Sequence, residues 1–229
     1  MTIGQIFEQM WLVFIKYYLG EGLLFTGVGY TLLLSAIAVA LGAVFGSLLA
    51  IGKRVPFKPL TWLITAVVEI IRGTPALLQL YVGYFIIPMM VPQLELSPFE
   101  CVAIALTINS AAYVSEIIRS GIEAVDKGQT EAAQALGLRS GTVMTKIILP
   151  QAVKNILPAL GNEFITIIKE TSLASTFFVG ELMTTYQIIK GVTYTPLPIL
   201  MDVGVIYFVM TFTLSKLLGL LEKRMKQHA

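Results

Sequence analysis

The chain has 229 residues, of which 56% are hydrophobic and only 13% are charged. A soluble domain carries roughly 25% charged residues, so this chain has too few to cover a water-facing surface and is expected in a lipid bilayer. The formal net charge of +2 is too small to indicate a nucleic-acid partner. The single cysteine, Cys101, excludes an internal disulfide and a cysteine zinc site, so it is expected to be a small packing residue.

The first 20 residues have apolar side chains at helical spacing. No basic cluster precedes an apolar core, and Glu8 and Lys16 interrupt the hydrophobic stretch, so a cleaved signal peptide is not expected. The pattern predicts an N-terminal interfacial helix over residues 1–20. A helix packed flat on a helical bundle is the open alternative. The aromatic residues expected at the level of the lipid headgroups are Trp11, Tyr17 and Tyr18.

Five stretches are long and apolar enough to cross a bilayer, which takes about 20 residues. Their expected bounds are 23–51, 60–87, 99–118, 147–168 and 197–221. The second stretch is expected to kink at Gly73-Thr74-Pro75, because proline removes a backbone donor and crowds the preceding turn. The expected fold class is therefore an all-α membrane protein with five transmembrane helices after the interfacial helix.

The Lys and Arg residues of the loops predict the orientation of these helices. The loops after the first and third stretches, together with the C-terminal end, hold ten basic residues, and the opposite side holds three. The N-terminus is therefore expected outside and the C-terminus in the cytoplasm. One transmembrane domain is expected over residues 21–222, followed by a cytoplasmic tail over 223–229. The domain contains a polar loop, residues 126–150, on the cytoplasmic side.

The polar loop has the features of two short helices joined by a turn. Asp126 can cap the first helix, with Gln129 reaching back in a capping box, and Gly137 can end it in a left-handed conformation. The second helix can begin at Ser140. Small side chains let another backbone approach closely, which suits a helix that docks on a partner, although a structured loop has the same composition. These small residues are Ala132, Ala133 and Ala135.

Seven residues of the loop have a spacing that resembles the EAA loop of bacterial ABC importer permeases. They are Glu131, Ala132, Ala133, Gly137, Ile147, Leu149 and Pro150. In that family the loop is the coupling helix, which seats in a cleft of the ATP-hydrolysing subunit. The resemblance therefore implies an ATPase-coupling role for Glu131, Ala132, Ala133 and Gly137.

Three further stretches resemble the signature runs of permeases for polar amino acids, namely histidine, arginine, glutamine, glutamate and opines. They lie at residues 69–80, 112–119 and 162–175. Sugar, metal and phosphate permeases share the EAA loop but lack the Arg-Gly-Thr-Pro and Lys-Glu-Thr-Ser-Leu runs. Glu170 stands where this family often has aspartate, which keeps the charge. The resemblance extends over residues 23–221 and implies the methionine-permease-like fold of type I importers.

The resemblance also implies partners: a second permease copy or a paralogue, an ATP-binding cassette ATPase subunit that holds ATP and magnesium, and an extracytoplasmic substrate-binding protein. The chain itself has no Walker A motif, no nucleophile elbow and no metal-ligand cluster. It is therefore expected to be a transport subunit without a cofactor, not an enzyme. Residues 171–181 and 193–198 are expected to form an outer gate that meets the binding protein. His228 is expected to be a solvated tail residue.

Ionisable residues inside the expected spans are costly in hydrocarbon, so each is a functional hypothesis. Glu69 and Arg72 share a helix face and can form an ion pair, or Arg72 can hold a cargo carboxylate with its bidentate fork. Glu116 and Arg119 repeat this spacing, and a structural or coupling role is expected for them. Glu163 has no cation within four residues, so its partner comes from another helix or from the cargo.

The sequence thus predicts a permease subunit in the bacterial inner membrane, part of an ATP-driven importer of basic amino acids such as arginine, histidine or lysine. Glu163 is assigned to the basic group of the cargo and Arg72 with Asn109 to its carboxylate, with Glu69 in the same substrate site. Three alternatives stay open. They are an ABC permease for glutamine or glutamate, a secondary transporter driven by an ion gradient, and a structural membrane subunit without a cargo path.

Overall fold

A computed structural model describes residues 2–227, and this range folds into helices and turns without a strand. The expected all-α class is therefore confirmed; His228 lies outside the described residues. The α-helices are α1 (Ile3–Val13), α2 (Leu23–Gly52), α3 (Lys58–Gly73), α4 (Ala76–Met90), α5 (Pro98–Glu123), α6 (Lys127–Ala135), α7 (Ser140–Val143), α8 (Leu149–Glu170), α9 (Leu182–Thr193) and α10 (Pro196–Gln227). Shorter π-helical turns cover Phe14–Gly20 and Met144–Ile148, and 3₁₀ turns cover Pro92–Leu94 and Thr171–Phe177.

Within residues 2–227, three helices are long and apolar enough to cross a membrane, namely α2, α5 and α10. The pair α3 and α4 makes a fourth if it is counted as one broken span. These elements correspond to four of the five stretches expected from the sequence. Helix α8 corresponds to the remaining one and has 22 residues, but it is not apolar enough to count by the same criterion. The fifth crossing therefore stays a prediction.

The chain turns through 111° between α3 and α4, where the sequence predicted a kink. The observed feature is a complete break, with Thr74 in an extended conformation before Pro75. The residue before a proline is disfavoured in the helical region, so α3 ends there. Gln79 of α4 stabilises this end, because its side-chain nitrogen donates to the carbonyl oxygens of Ile71 at 2.6 Å and Thr74 at 3.0 Å.

Helix α5 lies at the centre of the bundle and packs against α2, α3, α4 and α8. The α2 backbone approaches it closely because glycines face the seam. A Cβ atom added at Gly42 would lie 2.6 Å from Ser110 Oγ, and one at Gly46 would lie 2.7 Å from the backbone oxygen of Ala111. Small residues four apart allow such close packing in membranes. Cys101 is buried on α5, as expected for a packing residue.

Helix α1 begins at a capping box formed by Thr2 and Gln5 and packs on α10. The following π-helical turn carries Tyr18 into a core shared with α9 and α10, where the side chain is fully buried. Tyr18 is therefore a packing residue and not a lipid-facing aromatic, which agrees with the alternative of a segment packed on the bundle. Trp11 remains exposed, so this end of the chain combines a packed face with an outward aromatic residue.

The segment between α8 and α10 was expected to be a loop, and it contains helix α9 and a 3₁₀ turn instead. Glu181 caps α9: its Oε1 atom accepts from the backbone nitrogen of Thr184 at 2.7 Å and from the Thr184 hydroxyl at 2.8 Å. In the 3₁₀ turn, Ala174 and Phe177 pack into a core with residues of α2, α4 and α5. The expected outer gate is thus partly an internal packing element.

Candidate functional site

The polar loop forms α6 and α7 as the sequence predicted. Asp126 caps α6, and its Oδ1 atom accepts from the backbone nitrogen of Gly128 at 2.7 Å. Gly137 follows the helix with φ of 78° and Ser140 begins α7, both as expected. The capping-box expectation is wrong, because Asp126 bonds at Gly128 and no reciprocal bond from Gln129 occurs among the described hydrogen bonds.

Helix α6 is attached to the bundle through one small side chain. Ala133 is buried in a cluster with Val143 and Ile148, and it is the only buried residue of the helix. Glu131 and Ala132 are exposed on the other side. Leu136, directly after the helix, is 81% exposed. The motif residues are therefore divided between one anchor and an outward surface that another chain can cover.

Glu116 on α5 joins three helices through three cations. Its carboxylate oxygens lie 2.6 Å from Lys53 Nζ at the end of α2, 2.9 Å from Arg119 Nε and 3.5 Å from Arg72 Nη1 at the end of α3. The Glu116 side chain is 16% exposed, so water screens this network less than it screens an isolated surface pair. The network ties the broken end of α3 to the centre of the bundle.

The expected ion pair between Glu69 and Arg72 is wrong. Among the ion pairs of residues 2–227, Arg72 contacts Glu116 instead and also lies over the Tyr113 ring at 5.5 Å from its centroid. Glu69 is exposed on α3. Arg72 contacts Glu116 because α3 packs on α5, which brings the Arg72 guanidinium within reach of the Glu116 carboxylate. The side chain of Arg72 is 39% exposed, so a ligand can still reach it.

Asn109 on α5 is tied to the break between α3 and α4. Its Nδ2 atom donates to Gln79 Oε1 at 2.8 Å, and Gln79 in turn holds the end of α3. Its Oδ1 atom is buried and has no hydrogen-bond partner in the described part of the chain. The unpartnered atom is an acceptor, so the geometry offers it to a donor of a ligand more directly than to a carboxylate. Gln79 was missed as a site residue because its partners are distant in sequence.

Glu163 lies on α8 and is 8% exposed, beside Ser110 of α5. Its Oε1 atom is buried, and the buried Ser110 hydroxyl beside it is a donor that can serve it, although the two form no well-aligned hydrogen bond in residues 2–227. Glu170, seven residues further along α8, also has a buried carboxylate oxygen without a hydrogen-bond partner in the described residues. A buried carboxylate without a cation is costly, and no ion pair of the described residues includes Glu163. A ligand that brings several donors would satisfy this group.

A broken apolar bundle, a projecting helix and buried acceptors fit a membrane transport component, and the comparisons with known proteins show that class. The chain belongs to the family described as the binding-protein-dependent transport system inner membrane component, which matches residues 42–227. The arginine transport system permease protein ArtQ of Bacillus subtilis (strain 168) is 38% identical over 202 residues, which cover 88% of this chain and 92% of ArtQ. Other relatives are named for glutamine and L-cystine transport.

The solved structures agree with this family. A chain of an amino acid ABC transporter with histidines superposes with a TM-score of 0.86 at 43% identity, covering 92% of this chain and 98% of that chain. The methionine ABC transporter in an inward-facing conformation superposes with a TM-score of 0.72 at 19% identity, covering 90% of this chain and 97% of that chain. The methionine-permease-like fold is confirmed. The chain is a multi-pass membrane permease of an amino acid ABC importer.

Proposed function

We propose that this permease carries basic amino acids, and that the buried acceptors on α5 and α8 receive their cationic side chains. The observation that supports this most directly is the pair of buried acceptor atoms, Asn109 Oδ1 on α5 and Glu163 Oε1 on α8, which have no hydrogen-bond partner in the described residues. A guanidinium group offers five N–H donors and an ammonium group three, whereas a glutamine side chain offers two. The Glu163 carboxylate also favours a cation over a neutral amide, because the attraction between opposite charges is stronger where water is excluded and offsets part of the cost of removing them from water.

Two comparisons support the same cargo class. The relative ArtQ is named for arginine transport, and the similar solved structure is described as holding histidines. A permease for glutamine or L-cystine is the second candidate, favoured by the names of other relatives. In this second candidate the Glu163 carboxylate would be held by another helix of the assembly.

For the coupling loop, we propose that α6 seats in an ATP-binding cassette ATPase, which binds ATP and magnesium. The exposed Ala132 and Leu136 provide an apolar surface of the kind that a groove covers, and the buried Ala133 keeps the helix fixed to its own bundle. The chain is helical without a break from Ser140 through α7, the π-helical turn and α8, so a displacement of α6 passes through the short turn at residues 136–139 directly into α8.

The remaining partners follow from the same proposal. The chain pairs with a second permease copy or a paralogue, since one bundle cannot enclose a path alone. The C-terminus lies in the cytoplasm and the N-terminus outside, as the excess of basic residues on one side supports. A substrate-binding protein then meets the outer side, where exposed Phe178 and Tyr194 flank α9.

The cargo class is tested on the purified permease–ATPase complex without the binding protein, which would otherwise contribute its own selectivity. Binding of radiolabelled arginine is measured in competition with unlabelled lysine, histidine, glutamine and cystine. Basic amino acids are expected to compete at least tenfold more strongly than glutamine. Stronger competition by glutamine or cystine would overturn the basic cargo and select the second candidate.

A further inference from the structure

Helix α8 is long enough to cross a bilayer, but one of its faces carries polar residues from its first turn to its last. Its 22 residues span about 33 Å at 1.5 Å per residue, compared with roughly 30 Å of hydrocarbon. Five exposed polar residues lie on this face. They are Gln151, Asn155, Asn162, Thr166 and Lys169, called here the polar stripe.

The members of the stripe are aligned because their spacing follows the helical repeat, and Pro158 and Ala159 lie between its two halves. Successive members are 4, 7, 4 and 3 residues apart, which keeps them within a narrow sector of a helix with 3.6 residues per turn. From Gln151 to Lys169 the stripe runs about 27 Å along the axis. It therefore extends over nearly the full thickness of the hydrocarbon layer.

The other faces of α8 have a different character. Ile156, Glu163 and Ile167 are buried, and the helix packs against α5. Val153 and Leu157 are exposed apolar residues on a third face, which suits lipid or an apolar partner surface. Glu163 belongs to the buried face, about 100° around the axis from its neighbour Asn162.

The stripe has few partners within the chain. In residues 2–227, the one side-chain hydrogen bond made by its members runs from Gln151 Nε2 to the backbone oxygen of Ile147 at 2.9 Å. Amides, hydroxyls and an ammonium group are costly in hydrocarbon when they lack partners. A polar face of this length is therefore directed at water or at polar protein groups, not at lipid.

One end of the stripe opens into a cavity of about 460 Å³. Gln151 and Asn155 line this cavity together with Lys154, Glu222 and Asp126, so both signs of charge are present. Asp126 is the cap of α6, which places the cavity at the base of the proposed coupling helix. Side chains of opposite charge suit a zwitterionic solute better than a purely anionic or cationic one.

We propose that the polar stripe of α8 lines the water-filled route of the cargo and that the cavity beside α6 is its exit. The proposal rests on the proposed function, for which it names the route. The four neutral members, three amides and one hydroxyl, can exchange hydrogen bonds with a passing charged solute without holding it as strongly as an opposite charge would. Lys169 at the far end of the stripe can attract the carboxylate of the cargo. In this proposal Glu163 on the buried face binds the cationic group of the cargo, and the polar stripe lines the path along which the cargo moves.

Cysteine accessibility tests the route. In a Cys101→Ala background, which removes the single native cysteine, the variants Asn155→Cys, Asn162→Cys and Thr166→Cys are compared with Leu157→Cys on the third face. The assembled complex in membranes is treated with a charged methanethiosulfonate reagent. The stripe positions are expected to react at least tenfold faster than Leu157→Cys. Equally slow reaction at all four would overturn the proposal, because the stripe would then pack against a second copy.

A blocking substitution gives an independent readout. Asn162→Trp is expected to reduce uptake at least tenfold while the complex still assembles with its ATPase, whereas Leu157→Trp keeps uptake within twofold. Unreduced uptake in Asn162→Trp would overturn the route. Accessibility is measured without any cargo, so fast labelling combined with no basic amino acid binding would refute the cargo class and leave the route standing. Cargo binding combined with slow labelling would refute the route alone.

Discussion

At the scale of single residues, Glu163 is the buried carboxylate to which the proposed function assigns the cation of the cargo. It is buried on α8 and has an oxygen without a hydrogen-bond partner in the described residues. Glutamine at this position keeps the size and the acceptor oxygen but removes the charge. The substitution therefore separates attraction for a cation from simple packing.

Glu163→Gln is expected to weaken arginine binding about 10- to 100-fold, because a charge-assisted hydrogen bond contributes about 1.5–3 kcal/mol. Binding of a neutral amino acid should change less than twofold. Both are measured by equilibrium binding to the purified permease–ATPase complex. Equal losses for charged and neutral amino acids would mean that Glu163 supports the packing of α5 and α8 and does not contact the cargo.

Glu116 offers a second test at this scale, in which stability is the readout. Glu116→Gln leaves Lys53, Arg72 and Arg119 without their shared anion, and the cost is expected to be about 1–3 kcal/mol because the network is only partly exposed. Glu123→Gln is the matched control, since Glu123 is more exposed and contacts only Arg119. Thermal unfolding of the purified complex should show a clearly lower midpoint for Glu116→Gln than for the control. Similar midpoints would contradict a role for the network in stability.

At the scale of elements, local sequence predicted most of the long helices and the site where the second one breaks. Apolar runs predicted the starts of α2, α5 and α10 to within one residue, whereas the ends of α5 and α10 lie five and six residues further on. Pro75 correctly located the end of α3. Helix α9 was missed, since it has only 12 residues and polar ones among them. Its burial depends on contacts with α2 and α10 that a local pattern does not contain.

The candidate site was predicted less completely for the same reason. Spacing on one helix correctly placed Glu69 and Arg72 three residues apart, but the packing of α3 on α5 decided that Arg72 contacts Glu116. Likewise, the bond between Asn109 and Gln79 joins residues 30 positions apart. Polarity and spacing can therefore predict which residues belong to the site. Their interaction partners depend on the packing of helices that are distant in sequence.

At the scale of elements, the turn after α6 can be tested through Gly137. Gly137 has φ of 78°, and its backbone nitrogen donates to the oxygen of Gln134 at 2.9 Å. Proline would fix φ near −65° and remove this donor, so Gly137→Pro is expected to misdirect α6 and reduce ATP-driven uptake at least tenfold while ATP hydrolysis continues. Gly137→Asn is the control, since asparagine tolerates the left-handed region. If ATP hydrolysis still drives normal uptake in Gly137→Pro, the proposal that α6 transmits motion from the ATPase to α8 is contradicted.

At the scale of the whole molecule, the parts divide the transport task by position. The proposed cargo acceptors lie on α5 and α8, the polar stripe lies on another face of α8, and the proposed ATPase contact lies on α6. Helix α8 is connected to α6 through α7 and a π-helical turn, and its buried face holds Glu163. A displacement of α6 would therefore move Glu163 and the polar stripe of α8 relative to the acceptors on α5, which can change the side of the membrane to which the site is open.

This division requires α6 and the segment around α9 to lie on opposite sides of the membrane. Leu136, next to α6, and Tyr194, next to α9, are both highly exposed, so single cysteines can replace them in a Cys101→Ala background without disturbing a core. An impermeant thiol reagent applied to intact cells is expected to modify Tyr194→Cys and to spare Leu136→Cys. Leu136→Cys should react only in inverted membrane vesicles, where bound ATPase should slow the reaction. Modification of Leu136→Cys in intact cells would place the coupling loop outside, away from ATP, and would contradict both the orientation and the proposed coupling.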